Sequence, residues 1–93
     1  MDRSTPIALA RGVRLQWEPA QEARVLLYPE GMVQLNESAG EILALCDGRT
    51  LADLIDELSR RFPDADVADD VVEFLVDARS QGWVQWEEQG HEH

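Results

Sequence analysis

The run Leu35-Asn36-Glu37-Ser38-Ala39-Gly40-Glu41-Ile42-Leu43-Ala44-Leu45-Cys46-Asp47-Gly48-Arg49-Thr50 holds a helix start, an apolar stripe, a helix stop and the start of a second helix. The Asn36 side chain can accept from the free N–H groups of the first turn, and Glu37 suits the positive end of the helix dipole. Ser38 with Glu41 offers an alternative capping box two residues later. Ala39, Ile42, Leu43 and Cys46 recur at helical spacing, so this helix buries one face, and Asp47 and Gly48 are expected to close it. Thr50, placed before Asp53, marks the second start. Leu51, Leu54, Ile55, Leu58 and Phe62 form the stripe behind it, and Pro63 ends that helix.

Working outward toward the C-terminus, the acidic stretch from Asp64 to Asp69 leads into a third helix. Its Val67, Val71, Phe74, Leu75 and Ala78 share a broad apolar face, with Val72 and Val76 partly off it and Gly82 placed to cap its end. Trp83, Val84 and Trp86 read as a short final strand or an extended tail. Toward the N-terminus, Met32 to Leu35 and Arg24 to Tyr28 are short β-prone runs. They are separated by the turn residues Pro29, Glu30 and Gly31, which predicts a hairpin. Val13, Leu15 and Trp17 alternate with Arg14 and Gln16, the two-residue period of a half-buried strand, and Pro19 stops it. Residues 1–12 mix Pro6, Gly12 and polar side chains around the apolar patch Ile7 to Ala10 and read as an arm that docks. Residues 87–93 read as a flexible tail.

The expected architecture is therefore α+β and winged-helix-like, with a small N-terminal antiparallel sheet of three short strands followed by a three-helix bundle. It forms one domain over residues 1–93. With 93 residues and 44% hydrophobic content there is material for one modest core. No internal repeat or low-complexity stretch interrupts it.

Charge limits the partners. Eight Lys and Arg against 19 Asp and Glu leave a formal net charge of -11, which opposes phosphate backbones and anionic membranes. The third helix, which would enter a DNA groove in a winged-helix reader, carries Asp69, Asp70, Glu73 and Asp77 against Arg79 alone. Nucleic acid is not an expected partner. The first residues, with Asp2, Arg3 and Pro6, lack the apolar core of a signal peptide, and no apolar run is long enough to span a bilayer. A single cysteine allows no internal disulfide. The expected setting is the cytoplasm, without membrane association.

Catalytic chemistry finds no support in the residues. The two histidines, His91 and His93, sit at the chain end, where an imidazole cannot be held to catalytic tolerance, and with Glu92 they would make an unselective metal grip at best. Cys46 falls on the buried stripe of the first helix and reads as an inert core thiol. The acidic stretch from Asp64 to Asp70 lacks the ligand order, central glycine and terminal glutamate of an EF-hand, and the glycines are scattered rather than gathered in a phosphate loop. Ser4, Ser38, Ser59 and Ser80 lack the context of a phosphopantetheine carrier serine. No cofactor and no metal are expected, and the chain is read as a non-enzyme.

What the residues do offer is an edge. A strand at the rim of a small sheet presents unpaired N–H and C=O groups that an extended peptide can satisfy. If Met32, Val33, Gln34 and Leu35 form that edge and the third helix flanks it, Val72, Val76 and Arg79 line the groove. On the residues alone, the same side chains serve equally as cover for the core. Trp17, Trp83 and Trp86 read as core or rim packing. The open edge and the apolar arm also favour homodimer pairing or arm exchange at high concentration.

The run Leu35-Asn36-Glu37-Ser38-Ala39, then Ile42-Leu43, Cys46-Asp47-Gly48 and Thr50, followed by the Leu54, Ile55 and Leu58 stripe, resembles the PqqD family of pyrroloquinoline quinone (PQQ) synthesis. The resemblance extends from about Val13 to Trp83. It implies a peptide chaperone that binds the precursor peptide PqqA and presents it to PqqE, a radical S-adenosylmethionine enzyme, with the chemistry left to that partner. It also implies a RiPP recognition element, in which a leader peptide adds a strand beside the third helix. Carried onto this chain, the peptide edge falls on Met32 to Leu35 and the helical wall on the exposed side of Asp70 to Arg79. The alternatives are a recognition domain of another peptide-modifying pathway, a winged-helix regulator, and a carrier of the quinone itself.

Overall fold

A computed structural model of the chain describes residues 2–87. Six strands and three helices follow in the order β1 (Pro6–Leu9), β2 (Arg14–Glu18), β3 (Ala23–Tyr28), β4 (Gly31–Gln34), α1 (Glu37–Ala44), β5 (Asp47–Thr50), α2 (Leu51–Arg61), α3 (Val67–Ser80) and β6 (Val84–Gln85). They build two antiparallel three-stranded sheets, ordered β2-β3-β4 and β5-β1-β6. The α+β class and the three helices agree with the sequence reading. The second sheet does not follow from it.

That second sheet uses segments whose local composition points elsewhere. Pro6–Leu9, within the stretch read as an arm, is its central strand, and Ile7 is wholly buried. Asp47–Thr50, expected to be only a helix stop and a cap, pairs with β1, Pro6 opposite Thr50 and Ala8 opposite Asp47. The first helix ends earlier than expected, at Ala44 with Leu45 as its C-cap, which frees the Cys-Asp-Gly segment to extend. Tertiary pairing overrides turn-like composition here.

The helix caps obey the local rules. Asn36 Oδ1 accepts from the Ala39 N–H at 2.7 Å, and Thr50 Oγ1 accepts from the Asp53 N–H at 3.2 Å. Thr50 thus ends β5 and starts α2 without a connecting residue. At the end of α3, Gly82 takes φ +84°, the Trp83 N–H reaches the Ala78 carbonyl and the Gly82 N–H the Arg79 carbonyl, the two bonds of a Schellman stop. Asn36→Ala is expected to cost about 1 kcal/mol, read as a lower midpoint in urea with an unchanged slope.

One core joins the two sheets and the helices. Ile7, Leu26, Leu43, Leu51, Leu54, Leu58, Val71 and Leu75 are its largest fully buried side chains. Across the first sheet, Leu15, Leu26 and Val33 stand opposite one another in register; Leu26 belongs to the core, and Leu15 and Val33 pack against it. This face of the sheet therefore meets the helices. Tyr28 and Trp83 come together with ring centroids 6.5 Å apart, which brings the β3–β4 turn beside the end of α3.

Candidate functional site

The ladder of the first sheet decides which groups β4 can offer. Arg24 and Leu35 continue the β3–β4 register, and the Leu35 N–H donates to the Arg24 carbonyl at 2.9 Å. In an antiparallel pair the bonded positions alternate, so Val33 and Gly31 also turn their N–H and C=O toward β3. Met32 and Gln34 turn theirs away. Since β4 ends its sheet, and no other backbone bond among the described residues reaches Met32 or Gln34, these two positions form the open edge.

Side chains follow the same alternation. Met32 projects outward, 64% exposed, Gln34 is exposed, Val33 packs inward and Leu35 is buried. Of the run expected to meet a peptide, Val33 and Leu35 thus contribute mainly to the fold, their N–H groups committed to β3. On α3 the expected wall residues divide too. Val72 is half-buried against the core and Val76 is 53% exposed, one turn further on. Arg79 turns its guanidinium over the Trp86 ring, 4.4 Å from the centroid, and donates to the Trp86 carbonyl at 3.1 Å. Its cation points toward β6. The tryptophans separate: Trp86 is buried, Trp83 half-buried and Trp17 55% exposed.

Groups suited to chemistry are muted. Cys46 lies in the core, its Sγ 3.4 Å from the Ile42 carbonyl, and burial, reinforced by Asp47, pushes the thiol up from an ordinary 9.0 to about 12. A thiol held so high above its unfolded value favours the folded state in full below about pH 9. That contribution is lost as pH rises toward about 12. Cys46 is expected to resist a thiol reagent at pH 8 until the chain unfolds, as monitored by absorbance of the released chromophore in and out of denaturant. Asp47 is held below the usual carboxylate range by its side-chain bond from Arg49, at the exposed end of β5. Among the described residues no three His, Cys, Asp or Glu side chains gather to hold a metal, and no helix is long and apolar enough to cross a membrane. His91 and His93 lie outside the described residues.

A small α+β fold whose first sheet ends in an open edge at Met32 and Gln34 matches a known group. The family model described as coenzyme PQQ synthesis protein D (PqqD) matches residues 23–84. The chain belongs to the PqqD family. A relative from Klebsiella pneumoniae, named PqqA binding protein, is 55% identical over 86 residues, covering 90% of this chain and 94% of its own. Another of that name, from Azotobacter vinelandii, is 53% identical over 79 residues, covering 83% and 86%. The solution structure of the PqqD truncation of Methylobacterium extorquens PqqCD superposes with a TM-score of 0.73 at 29% identity, covering 91% of this chain and 94% of that one. That protein is described as a functional, stand-alone RiPP recognition element. The PqqD match opens at Ala23, the first residue of β3, and closes at Val84 in β6, so it takes in the open edge and α3 together.

Proposed function

We propose that this chain is a non-catalytic, cytoplasmic peptide chaperone of PQQ biosynthesis, one domain that takes the precursor peptide PqqA as an added strand on β4 and presents it to PqqE. In this reading the plan is winged-helix-like, with the β3–β4 hairpin as the wing beside α3. The observation that carries it is the edge itself: Met32 and Gln34 each hold an outward N–H and C=O that nothing among the described residues satisfies. An incoming strand pairs with both residues, and main-chain bonds give affinity with little demand on sequence. Its inward side chains lie over Val33 and meet Val72 and Val76, which supply selectivity for apolar residues. Arg79 acts indirectly, by fixing Trp86 and the end of the helix wall. The relatives named for binding PqqA and the neighbouring recognition element support the peptide assignment.

Mixing the chain with PqqA and PqqE and separating the complexes by size exclusion tests this reading. Co-elution of all three is expected. Elution of PqqA at its free position, with or without the enzyme, would contradict it.

A further inference from the structure

The first sheet has two edges, and the peptide reading uses one. The same ladder that frees Met32 and Gln34 also fixes the other side: Ala23, Val25 and Leu27 of β3 turn toward β2 and bond Glu18, Gln16 and Arg14, their partners in register. Leu15 and Trp17 are left with their N–H and C=O groups facing away. No backbone bond from elsewhere among the described residues reaches either of them.

Trp17 adds a second feature at this edge. Its large apolar side chain is 55% exposed, and it stands opposite Arg24 at the mouth of a cavity of about 340 Å³ between the sheet and α1. Leu35 and Gly40, both buried, also line it, as do the acidic residues Glu22, Glu37 and Glu41. Gly40 permits the close passage of the Arg24 stem, since a Cβ there would lie 3.2 Å from Arg24 Cδ. The one cation of the cavity is already engaged: Arg24 pairs with Glu41 at 3.5 Å, and Glu41 also pairs with Arg61. Glu22 and Glu37 have no such partner among the described residues.

We infer that the β2 edge and the Trp17 cavity form a second docking surface, which takes an extended segment of a partner protein carrying an arginine or lysine. Backbone pairing to Leu15 and Trp17 aligns the segment. Its cation then enters the cavity, over the Trp17 ring and between Glu22 and Glu37. Charge selects this occupant over a second copy of the chain, because two copies at -11 each repel. The surface lies on the sheet margin opposite β4, so both edges can be filled at once. A chaperone that must hold a peptide and meet an enzyme together needs such an arrangement, although the docking surface itself does not depend on the peptide assignment.

The test uses the full chain, ¹⁵N-labelled, and a blocked pentapeptide with arginine between valines, alongside its citrulline counterpart, which keeps the shape and removes the charge. The arginine probe is expected to shift the Trp17 indole and the Leu15, Trp17 and Glu37 amides, and the citrulline probe to bind about fivefold more weakly. Trp17→Ala and Glu37→Gln, both at exposed positions, are each expected to keep the parent's circular dichroism spectrum and to weaken the arginine probe to a similar degree. Saturating β4 with PqqA should leave these shifts in place. Equal binding of the two probes, shifts confined to Met32 and Gln34, or probe-free shifts of Leu15 and Trp17 that grow with protein concentration would each overturn the inference. Loss of PqqA binding with the arginine response intact would instead sink the peptide reading.

Discussion

Gln34→Pro is expected to fold normally and to lose PqqA affinity by at least about tenfold, whereas Val33→Pro, one residue away, is expected to lose the fold. The contrast comes from ladder parity. The Gln34 N–H points away from β3, so proline there costs the sheet no bond and its ring projects into the space an added strand must occupy. An edge position tolerates the ring in the free chain, and the loss appears only on binding. The Val33 N–H faces Leu26 across the ladder, and Leu26 is in the centre of the core. Proline at 33 removes that bond, drives the ring against β3 and costs more than about 2 kcal/mol, a large share of what so small a domain has. Circular dichroism melts and calorimetric titration of the two variants separate the effects. Equal loss of affinity in two folded variants would mean that the pairing register is not the one described.

Ile7→Ala is expected to destabilise the chain by about 2–4 kcal/mol, lowering its thermal midpoint by more than about 10 °C. Ile7 is fully buried on the central strand of the second sheet, where its side chain joins the common core. β1 holds β5 on one side and β6 on the other, so weakening it loosens the start of α2 and the end of α3 together. An arm merely docked on the surface would show a small effect. A midpoint within a few degrees of the parent, measured by calorimetry, would return residues 6–9 to that status.

The residues that told the sequence reading most are those whose signal is local. Asn36 and Thr50 each cap a helix through a bond inside one turn, and Gly82 stops α3 through its own backbone angle, so spacing and residue type suffice to place them. The Pro29-Glu30 turn similarly joins β3 to β4, with Gly31 as the first residue of β4. β1 and β5 escaped because their signal is not local. Asp47-Gly48-Arg49-Thr50 has the composition of a turn and becomes a strand only because Pro6–Leu9 comes back to pair with it. Nothing within either segment announces the other.

The candidate site was legible as a stretch and not as a set of atoms. Met32 to Leu35 could be chosen from its β-propensity and the turn before it. Which members face outward depends on register, and a slip of one residue inverts the answer. The bond from Leu35 to Arg24 supplies what was missing and confines the free edge to Met32 and Gln34. The sequence and the family resemblance group Arg79 with Val72 and Val76 on the exposed side of the third helix. Its contact with Trp86 depends on β6 returning beside β1, which no pattern in α3 encodes. Trp17 reads from the sequence as core or rim packing, and the structure places it at the sheet margin, 55% exposed.

Amide hydrogen exchange at single-residue resolution, with and without saturating PqqA, tests the central claim most directly. The free chain is expected to protect the Val33 and Leu35 amides, which bond within the sheet, and to leave Met32 and Gln34 in fast exchange. On adding PqqA, Met32 and Gln34 should gain protection while Leu15 and Trp17 stay as they were. Protection that arises elsewhere, with Met32 and Gln34 still exchanging freely in the complex, would contradict strand addition on β4.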